Sequence, residues 1–142
     1  AALGAGRTAW EAPGEGARMT TILVVDDEPD IVSTLSMVLE LEGYRVLDAP
    51  NGKEALVRIA ETRPDLILSD IMMPFMSGLE LLAAIKSDHE IRAIPVVIMS
   101  AGRPDSVAVP YPWDGFLAKP ISLDDLLQTI TMILERPAGA TP

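Results

Sequence analysis

Five short runs rich in aliphatic and β-branched residues set the architecture: Ile22–Val25, Arg45–Ala49, Leu66–Ser69, Val96–Met99 and Phe116–Ala118. Several are almost wholly apolar, so both faces of those strands must be covered. That demand fits a parallel sheet between two helical layers, whereas an antiparallel sheet with one wet side would alternate apolar and polar residues. Helices are predicted between the strands. Over Asp30–Glu42, the residues Ile31, Leu35, Val38 and Leu39 share one face, and Gly43 stands where such a helix would stop. Lys53–Glu61, Gly78–Lys86 and Leu123–Glu135 read the same way, the last with Ser122 as N-cap and acids in its first turn. The expected fold is α/β, a doubly wound sheet built as one domain, which suits a chain of 142 residues.

The ends differ from this pattern. Residues 1–18 are rich in Ala and Gly, include Pro13 and lack apolar periodicity, so they are expected to be a flexible extension. Trp10 is the one residue there suited to docking, and Met19 is a candidate for the original start. The domain is expected over residues 19–137, followed by a flexible tail at 138–142, because Pro137 disfavours helical geometry at Arg136. Eleven Lys and Arg against 21 Asp and Glu leave a net charge of −10, which argues against nucleic acid or an anionic membrane as partner and favours cations and proteins. The chain has no Cys, which excludes disulfides, thiolate zinc sites and cysteine nucleophiles. No apolar run approaches the roughly 18 residues that cross a bilayer. A soluble, cytoplasmic protein is expected.

In an open parallel sheet, ligands bind beyond the carboxyl ends of the strands. Those positions are polar: Asp26-Asp27-Glu28 follows the first strand, Asp70 the third, Ser100 the fourth and Lys119 the fifth. If the first and third strands are neighbours, about 4.8 Å apart, the acids meet. Two unit charges about 4 Å apart at an effective dielectric near 20 repel by roughly 4 kcal/mol, so a bound cation is the simplest remedy. All-oxygen ligands suit a hard ion, Mg²⁺ first and Mn²⁺ as a substitute. A carboxylate beside such an ion, a lysine and a hydroxyl can take a phosphoryl group as an aspartyl-phosphate, with Lys119 and Ser100 contacting the transferred oxygens.

These residues resemble the response-regulator receiver domain of two-component signalling over about residues 20–136. The resemblance rests on Asp26-Asp27-Glu28, on Asp70-Ile71-Met72-Met73-Pro74 through Gly78, on Ser100-Ala101 and on Lys119-Pro120. It implies a flavodoxin-like sheet of order 2-1-3-4-5. It also implies that Asp70 is the phosphoacceptor, and that Asp27, Asp70 and the Met72 backbone carbonyl ligate Mg²⁺, with Asp26 acting through water. Ser100 would follow the phosphoryl group, Lys119 would pair with it, and Lys119-Pro120 would be a cis peptide. The implied donor is a phosphohistidine on a sensor histidine kinase or phosphotransfer protein, and the output is altered binding to an unidentified downstream protein. The chain would be a stand-alone receiver or a piece of a larger regulator, a regulator rather than an enzyme beyond its own phosphorylation and dephosphorylation.

Two features depart from that family. The switch pair would be Ser100 with Phe116, and a phenylalanine has no hydroxyl, so any aromatic switch must act by packing. Between Ser100 and Lys119, the prolines at 104, 110 and 112 break a regular helix. The fourth helix is therefore expected to be shortened or missing, which argues against the dimer that receivers form through that face. A receiver-like interaction module that works without phosphorylation through segment 104–113 is the first rival. An Asp-nucleophile phosphatase of the haloacid-dehalogenase type is the second, disfavoured because it needs an Asp-x-Asp spacing. Met72, Met73, Met76 and Met99 are expected to fill apolar gaps, His89 to be a solvated loop residue, and Tyr111 and Trp113 to cover the core.

Overall fold

A computed structural model describes residues 19–102 and 112–136. In chain order the elements are β1 (Thr21–Val25), α1 (Pro29–Leu41), β2 (Arg45–Ala49), α2 (Gly52–Glu61), β3 (Leu66–Asp70), α3 (Gly78–Lys86), β4 (Val96–Ser100), β5 (Gly115–Ala118) and α4 (Leu123–Leu134). The strands form one parallel sheet of order β2-β1-β3-β4-β5, the doubly wound arrangement expected. The expectation of a shortened or missing helix between β4 and β5 falls largely on residues 103–111, outside the described residues, as do Tyr111 and the two chain ends.

Strand composition follows position in the sheet. β1 and β3 are central and buried at every residue, which is why their sequences are continuous apolar runs. β2 and β5 are edge strands and carry exposed residues. Side chains alternate between faces along each strand. Ile22, Val24, Leu66, Leu68, Val97 and Met99 therefore meet α1 and α4, through Leu35, Leu39, Leu126 and Ile130. Leu23, Val25, Ile67, Val96 and Ile98 meet α2 and α3, through Ala55, Ile59, Leu81, Leu82 and Ile85. Fully burying one such side chain stabilises the fold by about 1.5–3 kcal/mol.

The helix ends are specified locally. Pro29 opens α1, where its missing N–H costs nothing. Gly43, at φ +97°, closes it: the Gly43 N–H donates to the Glu40 carbonyl and the Tyr44 N–H to the Leu39 carbonyl, which satisfies two orphan acceptors. Asn51 caps α2 by accepting the Glu54 N–H at 2.9 Å. Ser77 and Glu80 form a reciprocal capping box at α3, and Ser122 caps α4 through the Asp125 N–H.

One close approach ties the fold to the end of β3. A Cβ on Gly78 would stand 2.0 Å from the Asp70 carbonyl oxygen, so α3 begins against that strand only because position 78 has no side chain. Gly78→Ala is expected to destabilise the domain by about 3 kcal/mol or more, since backbone on both sides must move. Urea unfolding monitored by circular dichroism checks this, and a loss below about 1 kcal/mol would contradict the packing described.

Candidate functional site

Register and alternation together bring the strand-end residues to one place. Val25 pairs with Ser69, so Asp26 and Asp70 leave β1 and β3 side by side, and both continue the face that packs under α1 and α4. Asp70 in turn pairs with Met99, and Met99 with Leu117. Lys119 lies two residues beyond Leu117, on the same face by parity, and its long side chain reaches back across the sheet. Its Nζ stands 3.1 Å from Asp26 Oδ2, 3.4 Å from Asp70 Oδ1 and 3.9 Å from Glu28 Oε1. The Lys119-Pro120 peptide is cis.

The other oxygen of Asp26 accepts the Glu28 N–H at 2.9 Å, so this buried carboxylate is held from both sides. Asp27 has the opposite parity and is exposed, yet one of its oxygens joins those of Asp26 and Asp70 with all three atoms within 4.8 Å of one another. Three hard oxygen donors without His or Cys fit a small divalent cation such as Mg²⁺. Burial and the neighbouring Asp26 charge raise the Asp70 pKa above the ordinary 3.8, against the opposing pull of Lys119 and the Ile71 N–H. Burial works against the Lys119 ammonium, but its hydrogen bond to Asp26 and the charges of Asp26 and Asp70 prevail and lift its pKa above 10.5.

Ser100 and Phe116 lie on adjacent strands with side chains on the opposite face, that of α2 and α3. The Ser100 hydroxyl donates to the Gly102 carbonyl at 2.7 Å and accepts the Gly102 N–H at 3.3 Å, so it is held within its own turn. Phe116 packs at a tilt on Trp113, ring centres 5.4 Å apart, and Trp113 covers the α2–α3 side of the core as expected. Met73, Met76 and Met99 are packed into or against the core. Met72 corrects the expectation that it fills a gap: it is 79% exposed, because the loop after β3 turns its side chain outward. His89 is an exposed turn residue, as expected. The Lys86–Asp114 pair was not anticipated. Lys86 Nζ meets Asp114 Oδ2 at 2.9 Å, the same oxygen accepts the Val96 N–H, and Lys86 also donates to the Ile94 carbonyl. Twenty-eight positions separate the two, and neither lies in a pattern that could have signalled the other.

Residues 22–131 match the family model of the response regulator receiver domain. The chain belongs to the response-regulator receiver family. It is 34% identical over 119 residues to Protein PilH of Pseudomonas aeruginosa, spanning 82% of this chain and 98% of PilH. It is 32% identical over 124 residues to the probable transcriptional regulatory protein TcrX of Mycobacterium tuberculosis, spanning 85% of this chain but 52% of TcrX. The chain thus spans about half the length of several curated relatives it matches. Among solved structures, response regulator TrrA of Thermotoga maritima, in complex with Mg²⁺-BeF, superposes with a TM-score of 0.74 at 33% identity, covering 81% of this chain and 99% of TrrA. Receiver domains are regulators that bind Mg²⁺ at an acidic pocket and work with histidine kinases or phosphotransfer proteins. In this receiver the acidic cluster is Asp26, Asp27 and Asp70. Among its described residues, no helix is long and apolar enough to cross a membrane.

Removing one charge from the cluster should stabilise the metal-free receiver. Because the folded-state pKa of Asp70 is raised, the native state binds more protons than the unfolded state between 3.8 and the raised value, so the ionised group weakens the fold at neutral pH. In EDTA at pH 7, Asp70→Asn is expected to gain about 1 kcal/mol, a melting temperature roughly 3–5 °C higher. The advantage should shrink as pH falls through the raised pKa and vanish below 3.8. Melting curves of both proteins across pH check this, and a gain independent of pH would contradict the electrostatic origin.

Proposed function

We propose that this receiver takes a phosphoryl group onto Asp70 from the phosphohistidine of a sensor histidine kinase or phosphotransfer protein, in a Mg²⁺-dependent step, and thereby changes its binding to a downstream protein. The observation that carries the reading is the meeting of Asp70 Oδ1 with the Lys119 ammonium at 3.4 Å beside the Asp26 and Asp27 carboxylates. An Asp70 oxygen attacks phosphorus, the P–N bond to the donor imidazole breaks, and the electron pair leaves with the ring nitrogen. Lys119 neutralises one oxygen of the transferred group. Asp27, Asp70 and the Met72 backbone carbonyl would hold Mg²⁺, or Mn²⁺ in its place, with Asp26 acting through water. The bound ion would supply charge neutralisation for the phosphoryl oxygens.

The response follows from a change of partners. A phosphoryl group on Asp70 offers new acceptors to Ser100, whose hydroxyl is otherwise spent on Gly102. A rotation toward the phosphoryl oxygens releases that turn, and Phe116 on the neighbouring strand, two positions back on the same face, repacks against Trp113. Any conformation that satisfies the new charge better gains population by that difference. Residues 19–137 are the working unit of this reading, and a cytoplasmic location accompanies it.

Incubation with Mg²⁺ and acetyl phosphate, followed by intact-mass analysis, is expected to add one phosphoryl group to the wild-type chain and none to Asp70→Asn, with EDTA abolishing the gain. Lys119→Met should slow labelling by about 100-fold, the scale seen when one preorganised charge-stabilising group is removed. Equal labelling of wild type and Asp70→Asn would end this assignment.

A further inference from the structure

Beyond the acceptor chemistry, and resting on the reading of Asp70 as acceptor, we propose that Phe75, with Met72 on the same loop, is the apolar anchor for the protein that delivers the phosphoryl group. The loop Ile71–Ser77 begins and ends at Asp70. The Gly78 N–H donates to the Ile71 carbonyl at 2.9 Å, the Gly78 backbone lies against the Asp70 carbonyl, and the Met76 carbonyl accepts the Gly52 N–H at the start of α2. Phe75 is three residues from Gly78, and at 3.8 Å per residue its Cα lies within about 11 Å of the Cα of Gly78. A phenylalanine at the tip therefore belongs to the rim of the acceptor site.

Its backbone is unusual. Phe75 has φ +70°, and the Met76 N–H donates to the Pro74 carbonyl at 2.7 Å across it, a three-residue turn that is strained for any residue with a side chain and easy for glycine. The strained turn holds the ring in solvent: Phe75 is 82% exposed and Met72 79%. Neither side chain contributes to the core, so packing does not account for them. Backbone strain retained at a functional rim is where such outliers concentrate.

Charge selects the occupant. A protein donor must bring its phosphorus to about 3–3.5 Å from an Asp70 oxygen, so its surface is pressed onto this rim. Around the single Lys119 ammonium the rim carries Asp27, Glu28 and Asp30, all exposed and acidic, toward a partner that arrives carrying phosphate. With exposed acids outnumbering the one lysine, the rim's charge gives such a partner little purchase outside the acceptor centre, and apolar contact supplies it, for which aromatic and Met side chains are the favoured anchors. A second copy of this chain fits less well, because two bodies of net charge −10 repel.

The test compares two donors on the full chain: acetyl phosphate, and a purified sensor kinase, autophosphorylated with ATP, that labels the wild type. Phe75→Gly is expected to keep acetyl phosphate labelling within about twofold and to lower transfer from the kinase at least about tenfold in kcat/KM, the effect of losing one anchor residue. Met72→Ser added to it should lower transfer further, and Phe75→Leu should retain most of it. Unchanged kinase transfer in the double variant overturns the proposal, as does equal loss with both donors, which would make the loop a support for Asp70 instead. A wild-type dimer that Phe75→Gly dissolves in sedimentation also overturns it in favour of self-association. Absence of acetyl phosphate labelling in the wild type would instead count against the acceptor reading itself.

Discussion

One ammonium faces more acid than it can neutralise. Lys119 lies 3.1 Å from Asp26 and 3.4 Å from Asp70, with Asp27 completing the cluster and Glu28 at the edge. Two carboxylates and one lysine in a partly buried setting leave an excess of negative charge, which is why burial and Asp26 together raise the Asp70 pKa even against the pull of Lys119. The fold tolerates this excess because large apolar layers elsewhere stabilise it, and the excess makes the site receptive to a divalent cation. Stability and affinity for a cation are set against each other at the same few atoms.

The excess exists because the sheet is parallel. In a parallel ladder every strand delivers its carboxyl end to the same edge, and alternation decides which neighbours face one another. Asp26, Asp70 and Lys119 share a face, whereas Ser100 and Phe116 share the other. The charge cluster and the serine–aromatic pair are thus separated by the thickness of the sheet yet adjacent along its rim. Glycine supports the arrangement at Gly78, where the start of α3 rests on the Asp70 carbonyl.

Much of this was legible in the residues. The continuous apolar runs of β1, β3 and β4 announced strands buried on both faces, and Gly43 and Ser122 marked helix ends that the structure has at those positions. Polar residues directly after apolar runs pointed to Asp26, Asp70, Ser100 and Lys119, because ligands bind beyond the carboxyl ends of strands in an open parallel sheet. The Lys86–Asp114 pair was not legible, since ion pairs distant in sequence carry no periodic signal. The outward turn of Met72 and the positive φ of Phe75 were hidden as well: a Met-rich, Pro-containing loop reads as core filling until its closure on Gly78 and Gly52 is known. The asparagine and serine caps of α2 and α3 were not read from the sequence, and they emerged only with the helix starts in place.

What the amino-acid sequence determined by itself was the fold class, the number of strands and the polar residues that follow them, because periodicity and residue type are local properties. What only the tertiary structure decided was who meets whom. Strand order and register set Asp26 beside Asp70, the long side chain of Lys119 reached both from the same edge beyond β5, and loop closure turned Phe75 and Met72 into solvent. Distances and desolvation depend on elements far apart along the chain, so the raised pKa of Asp70 belongs to the folded assembly and to no segment of it.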